Sequence, residues 1–358
     1  MPLVEDNIDT HDEHLTGTFW TTFSLQKSGA IIDDNSNTWV IFHEDEFNML
    51  IYHYESIISS PIGRILHNSA ADSLELINTD LATIRRKLFG KKRLNKILID
   101  AWKLCGWGVN NFHDSTIKTN VFASVAAGFY LSTIELLENC RYKLEWSQKS
   151  SLVINFNRLP ANNEMPSPNF LKSIPWAYLN DSQSSIIDSD VKLESQELGW
   201  SIEGRTSFLL PCDFFNRVIF NSSGLVKQFP QNILERWDLV GFNKLYSNGL
   251  IAMLEASKAV FLSNDNFVYL RDEGDWSKTI AKHMTYFGYA APVFTNQEQS
   301  STYFEMNLSP SLPLSLGKLV GLWERAHGKT AKCRIVLSSQ SVKLEISPLL
   351  TFVLEDSN

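Results

Sequence analysis

The sequence predicts an α+β protein built from two tandem copies of one domain, which together form a pseudo-dimer within a single chain. Three observations carry this prediction. First, DEFNMLIYHY from Asp45 and DFFNRVIFNS from Asp213 share an acid, a Phe-Asn pair and an apolar run. Second, three further blocks repeat in the same order, and the spacing between copies grows as small insertions accumulate. Third, each copy places helices first and then mixes helix with strand, which is the order of an α+β unit rather than a βαβ series.

The blocks follow in sequence. IGRILHNSAADSLEL from Ile62 matches FNKLYSNGLIAMLEA from Phe242, which sets Arg64 on Lys244, Asn68 on Asn248, Leu74 on Leu254 and Glu75 on Glu255. RLNKILIDAWKLCGWG from Arg93 matches DWSKTIAKHMTYFGYA from Asp275, with Lys96 on Lys278 and Gly106 on Gly288. The stretch AAGFYLSTIELL is similar to SLGKLVGLWERA and sets Gly128 on Gly317.

Within the first copy, Phe47, Leu50, Ile51 and Tyr54 at helical spacing predict a helix over 44–57. Helices over 61–77 and 93–105 follow. The last of these carries Leu94, Ile97, Leu98, Ala101, Trp102 and Cys105 on one stripe, and Gly106 stops it. Strands are expected over 107–112 and 116–123, then a helix over 126–138 and closing strands over 140–146 and 151–157. Alternation in RYKLEW supports the first closing strand. Pro160, Pro166, Pro168 and Pro175 mark a linker, although Trp176, Tyr178, Ile186 and Ile187 suggest that parts of it pack down. The expected division is an N-terminal segment 1–35, a first copy 36–158, a Pro- and Ser-rich linker 159–199 and a second copy 200–358.

The 358 residues are 44% hydrophobic and 20% charged, with 22 Phe, 10 Trp and 10 Tyr, enough for a sizeable core. The net charge of −8 argues against a nucleic-acid partner, because phosphate contacts need clustered Lys and Arg. Four dispersed cysteines without a CxxC pair fit buried thiols in a reducing compartment. MPLVEDNIDTHDEH has neither a basic start nor an apolar core of a signal peptide, and no run of 18 apolar residues occurs. A cytoplasmic protein without a membrane span is expected.

From Trp102 to Trp146, an apolar helix ends in GWG and leads through a hairpin to AGFYLSTIELL and paired strands. This resembles the 4-vinyl-reductase-type small-molecule-binding domain, which is related to the core of TRAPP vesicle-tethering subunits. Residues 285–345 carry the resemblance more faintly. It implies a pocket between helices and sheet, and a tendency of such domains to pair. The pocket residues expected on that basis are Trp102, Trp107, Tyr130 and Ile134, with Met284, Tyr289, Leu319 and Trp323 in the second copy. Plain core packing is the alternative for each. Sensor members of the family hold a metal on a Cys-rich stretch. Here only Cys140 and Cys333 stand near that region, so no metal is expected and no cofactor is assigned.

No GxSxG, SxxK, GxxxxGK[ST], GxGxxG or HExxH motif is present. His67 and Asp72 could meet loosely on one side of a helix, although a partly exposed histidine is the plainer reading. Asp33, Asp34, Glu44 and Asp45 read as turn or helix-start acids. RRKLFGKKR concentrates Arg85, Arg86, Lys87, Lys91, Lys92 and Arg93, either as an anion, nucleic-acid or acidic-partner contact or as a solvated junction turning at Gly90. It is expected to be exposed and loop-like. The leading functional expectation is a non-catalytic binding or regulatory protein, whose partner is a small hydrophobic ligand, another protein or both. A homo-oligomer is compatible with this. The alternatives are an enzyme or accessory protein of tetrapyrrole or aromatic metabolism, and a scaffold whose pockets have closed.

Overall fold

The computed structural model describes residues 11–85, 89–110, 112, 114–161, 167–179, 185–264, 267–270, 274–298 and 300–349. Helix α1 (Glu13–Thr22) leads into strands β1 (Phe23–Leu25), β2 (Ile31–Asp33) and β3 (Thr38–His43). Helices α2 (Glu44–Ile58), α3 (Gly63–Ile77), α4 (Ala82–Arg85) and α5 (Gly90–Leu104) follow. Strand β4 (Thr116–Lys118), helix α6 (Ala123–Glu138) and the hairpin of β5 (Tyr142–Ser150) and β6 (Val153–Pro160) end the first half. The second half opens with β7 (Glu194–Gln196), β8 (Gly199–Ile202) and β9 (Arg205–Pro211). Then come α7 (Cys212–Ser222), α8 (Gln231–Leu234), β10 (Trp237–Val240), α9 (Lys244–Ser263) and α10 (Asp275–His283). It closes with β11 (Val293–Glu298), β12 (Ser301–Asn307), α11 (Leu312–His327), β13 (Ala331–Leu337) and β14 (Ser341–Pro348). Helix takes 45% and strand 26%, and the class is α+β.

Strands β3 and β9 are apolar on both faces, so each needs cover on both sides. They lie side by side and antiparallel at the centre of a six-stranded sheet ordered β1-β2-β3-β9-β8-β7. Ile41 pairs with Leu209, flanked by Trp39 with Pro211 and His43 with Ser207, so the register is symmetric about the Ile41–Leu209 pair. The expected boundaries at 36 and 200 fall inside this sheet, because β1, β2 and β7 are strands of it.

The two halves run in a similar order, but α1 stands only before the first, β10 and β11 stand only in the second, and the short helices α4 and α8 fall at different places. The first half closes with a sheet β4-β6-β5, and the second with β10-β13-β14-β12-β11. Helix α6 ends in left-handed Asn139, and α11 ends in left-handed Gly328. Glu135 accepts a hydrogen bond from the backbone N of Tyr142 at 2.8 Å, and Glu324 accepts from the N of Ala331 at 2.8 Å. Each bond ties a helix end to the start of the next strand.

The packing crosses between the halves. Helix α2 lies on α9, and α3 lies on α7. After α5, Gly106 takes φ +75°, and a Cβ there would lie 2.9 Å from Ser207 O of β9. After α10, Gly288 takes φ +88°, and a Cβ there would lie 2.4 Å from Trp39 O of β3. Each glycine turn thus presses on the central strand of the other half.

One expected alignment shifts. Gly128 of α6 packs against His67 O and Ala70, whereas Gly317 of α11 packs against Leu254 O and Ser257. Leu254 therefore takes the place of His67, not of Leu74, a slip of two helical turns. Seven residues is close to two turns, so the apolar pattern repeats and does not discriminate between the registers. The strand expected over 107–112 is reduced to an isolated bridge between Val109 and Lys118, because Gly106 and Gly108 both take positive φ there.

The close approach at Gly288 sets a measurable contrast. Gly204 also has positive φ (+72°), but nothing lies within 4 Å of a Cβ placed there. Gly204→Ala is expected to cost about 1 kcal/mol of backbone strain. Gly288→Ala adds a backbone clash and is expected to cost about 3 kcal/mol or more. Urea midpoints of the two variants check the difference.

Candidate functional site

The aromatic residues expected to line a cavity in the first half fill the space instead. Trp107 stacks on Phe129 with centroids 4.1 Å apart, and Tyr130 stacks on Phe156 at 4.0 Å. Trp102 meets Trp107 and Phe112 edge-on, and its Nε1 donates to Thr133 Oγ1 at 3.1 Å. Trp107 Nε1 donates to the Leu209 carbonyl of the central sheet at 2.6 Å. These indoles are buried with their polar atoms satisfied, as core residues are. Met284, Leu319 and Trp323 are buried in the same way, with Trp323 Nε1 donating to Thr302 Oγ1 at 2.9 Å.

Ile134 is as deeply buried as these residues. It also backs a cleft of about 320 Å³ between α5 and α6, lined by Lys91, Lys92, Asn95, Phe112, Ile134, Leu137 and Glu138. Residues Ile134, Leu137 and Glu138 share one face of α6 by their three- and four-residue spacing, and Lys91 and Asn95 share one face of α5. Phe112, Ile134 and Leu137 make an apolar floor. Lys91 and Lys92 are exposed at the mouth, and among the described residues neither has an ion-pair partner. Glu138 is engaged by the Tyr142 hydroxyl, with Arg158 Nη1 at 3.7 Å. Its bond to Glu138 raises the Tyr142 phenol above the ordinary range. The buried amide oxygen of Asn95 has no hydrogen-bond partner.

The basic cluster and the expected pocket therefore meet at one place, through Lys91, Lys92 and Ile134. Arg93 is exposed but does not line the cleft. Arg86, Lys87 and the Arg85 side chain lie outside the described residues. The loop expected through the cluster is helix from Gly90 onward: Phe89 takes φ +58°, and the buried stripe Leu94, Leu98 and Trp102 holds α5 down. Asn95, Phe112, Leu137 and Glu138 were not singled out in advance as cleft residues. Helical spacing from Lys91 and Ile134 was the available signal for Asn95, Leu137 and Glu138.

The chain matches no family model, no curated protein and no solved structure. Among the described residues no three His, Cys, Asp or Glu side chains are grouped as metal ligands, and no helix is long and apolar enough to cross a membrane.

His67 and Asp72 do not meet. His67 is buried and stacks on Trp146 at 4.6 Å, whereas Asp72 lies 3.5 Å from Arg217 of α7. Burial first, and the nearby Arg64 charge second, push the His67 imidazole down to about 4. An unfolded chain takes up this proton near pH 6.5. His67 therefore contributes fully above pH 6.5, and that contribution is lost as pH falls toward 4, by up to about 3 kcal/mol.

Two outcomes follow. Trp102→Ala should cost about 3–5 kcal/mol in chemical denaturation, as a core deletion does. His67→Phe keeps the ring against Trp146 but binds no proton, so the decline in denaturation midpoint between pH 6.5 and 4 should be shallower than in the parent protein.

Proposed function

We propose that the protein binds a small amphipathic anion in the α5/α6 cleft and does not transform it. The single observation behind this reading is the pairing of an apolar floor with two unpartnered lysines at its mouth. An apolar body would be desolvated against Phe112, Ile134 and Leu137, while a carboxylate head would meet Lys91 and Lys92. The Asn95 amide oxygen is left for an O–H or N–H of the ligand. The cleft volume of about 320 Å³ suits a molecule at the small end of the ligand range.

The resemblance of residues Trp102 to Trp146 to 4-vinyl-reductase-type domains points the same way, since those domains imply a pocket beside the corresponding helices. We further infer that the two halves are copies of one unit. The paired caps and the paired Glu–backbone ties support this, as does the crossing of the glycine turns. The four free cysteines support a reducing compartment, the cytoplasm. The close aromatic packing around Trp102, Trp107 and Tyr130 favours a second reading, a protein–protein scaffold without a ligand.

Calorimetric titration with octanoate separates the two. Binding by the parent chain is expected. It should weaken at least about tenfold in the surface variant Lys91→Glu/Lys92→Glu, with less contrast at high salt. It should vanish in Ile134→Trp, which fills the floor. No binding by the parent chain, or binding unchanged in both variants, would leave the scaffold reading in front.

A further inference from the structure

A second cavity lies at the seam between the halves and shares no lining residue with the α5/α6 cleft. Its volume is about 510 Å³. The inner wall carries Ile32 of β2 and Leu76 and Ile77 of α3, each half-buried and so open to a ligand. The mouth carries Phe170, Tyr178 and Ile186, which are 59%, 46% and 67% exposed. Three large apolar side chains exposed around one opening form a contiguous patch, and such patches mark binding surfaces where scattered single residues do not.

The two rings are exposed but held. Arg217 of α7 donates from Nη2 to the Asn169 carbonyl at 2.9 Å, next to Phe170. Trp176 is buried two residues before Tyr178, and its Nε1 donates to Asn216 Oδ1 at 2.9 Å. The centroids of Phe170 and Tyr178 stand 6.4 Å apart with the ring planes at 53°, as adjoining walls do, rather than in a closed stack. Among the described residues, Asp213 in the first turn of α7 is the only charged one in the lining. Arg217 bonds Asp213 Oδ2 and also lies 3.5 Å from Asp72, so one guanidinium is shared between two carboxylates. The Arg217 side chain is itself only 5% exposed. This group of three therefore leaves one negative charge in excess beside two exposed rings.

We propose that this cavity binds a small amphipathic organic cation, an alkylammonium with an apolar tail. The ammonium head lies against the Phe170 and Tyr178 rings, whose electron-rich faces attract it, and Asp213 supplies the opposite charge. The tail is desolvated on Ile32, Leu76 and Ile77. An anion of the same shape meets the Asp213 carboxylate without a cation among the described lining residues to offset it, so the site discriminates against it. A neutral alcohol of similar length gains the apolar wall alone. Because Asn169 and Trp176 pin the segment that carries both rings, little freedom is lost when the head is bound.

Ligand-observed NMR titrations of the full chain with hexyltrimethylammonium, 1-heptanol and octanoate test this. The cation is expected to bind at least about fivefold tighter than heptanol, with the preference shrinking at high salt. Octanoate should not displace it. Phe170→Leu keeps an apolar side chain but removes a ring face, so the cation should bind at least about threefold more weakly while heptanol binds as before. Lys91→Glu/Lys92→Glu should leave the cation affinity unchanged, which separates this cavity from the α5/α6 cleft. Cation binding no tighter than that of heptanol, or equally tight in Phe170→Leu, would overturn the proposal. The comparison of probes on the parent chain decides the matter even if the Phe170 variant does not fold.

Discussion

Strands β3 and β9 are apolar on both faces, and both halves of the chain contribute to covering them. Within the first half Trp39 meets Trp107 and Phe42 meets Phe47, while Phe42 also meets Phe215 and Tyr289 of the second half. Further cover comes from the far side: the turn at Gly288 presses on β3, and the turn at Gly106 presses on β9. The backbone N of Leu209 donates to Cys105 O at 2.9 Å, so the end of α5 is tied into the second half's strand. The crossing of α2 onto α9 and α3 onto α7 follows from the same constraint. Helices α2 and α7, which start beside the paired central strands, pack across the halves as well as on β3 and α9 of their own half. The cleft between α5 and α6 stands on this frame, because Trp102 and Trp107 lock α5 against α6 and the central sheet.

The halves carry different chemistry beside their glycine turns. Trp107 stacks on Phe129 with ring centroids 4.1 Å apart, whereas Tyr289 faces the Lys318 ammonium, with Nζ 4.3 Å from the ring centroid. The second half also carries a nearly buried ionic group that the first lacks. Arg236 Nη1 reaches Glu255 at 2.5 Å, and Lys258 Nζ lies 2.7 Å from Glu255 and 3.8 Å from Glu324. That group anchors the added strand β10, which runs parallel to β13, against α9 and α11. In the first half Arg141 instead binds Glu75 and Glu135, both at 2.6 Å, beside a hairpin whose outer edge has no added strand.

The sequence revealed the helices with strong apolar stripes, because periodicity acts over many residues at once. Helix α3 lies within the stretch 61–77 expected for it, and α5 carries the stripe of Leu94, Leu98 and Trp102. The α3–α9 register was not legible, since a shift of two turns preserves the same stripe. The site was legible only in fragments. Ile134 was read as pocket-lining and Lys91 and Lys92 as a charged patch, but only the packing of α5 on α6 brings them together. Lys318 was silent, because a single Lys in an apolar helix ordinarily snorkels to the surface. Its ring partner Tyr289 comes from another part of the second half, so only the packing of α11 brings the two together.

The pairing of Ile41 with Leu209 also governs how the chain reaches this state. A contact between residues so far apart in sequence closes a long loop before it yields any stabilisation, which slows folding relative to locally wired helical proteins. During synthesis, β3 leaves the ribosome well before β9 exists, so an apolar strand with an unpaired edge waits for its partner. Until β9 arrives, the unpaired edge of β3 is open to mispairing with another copy.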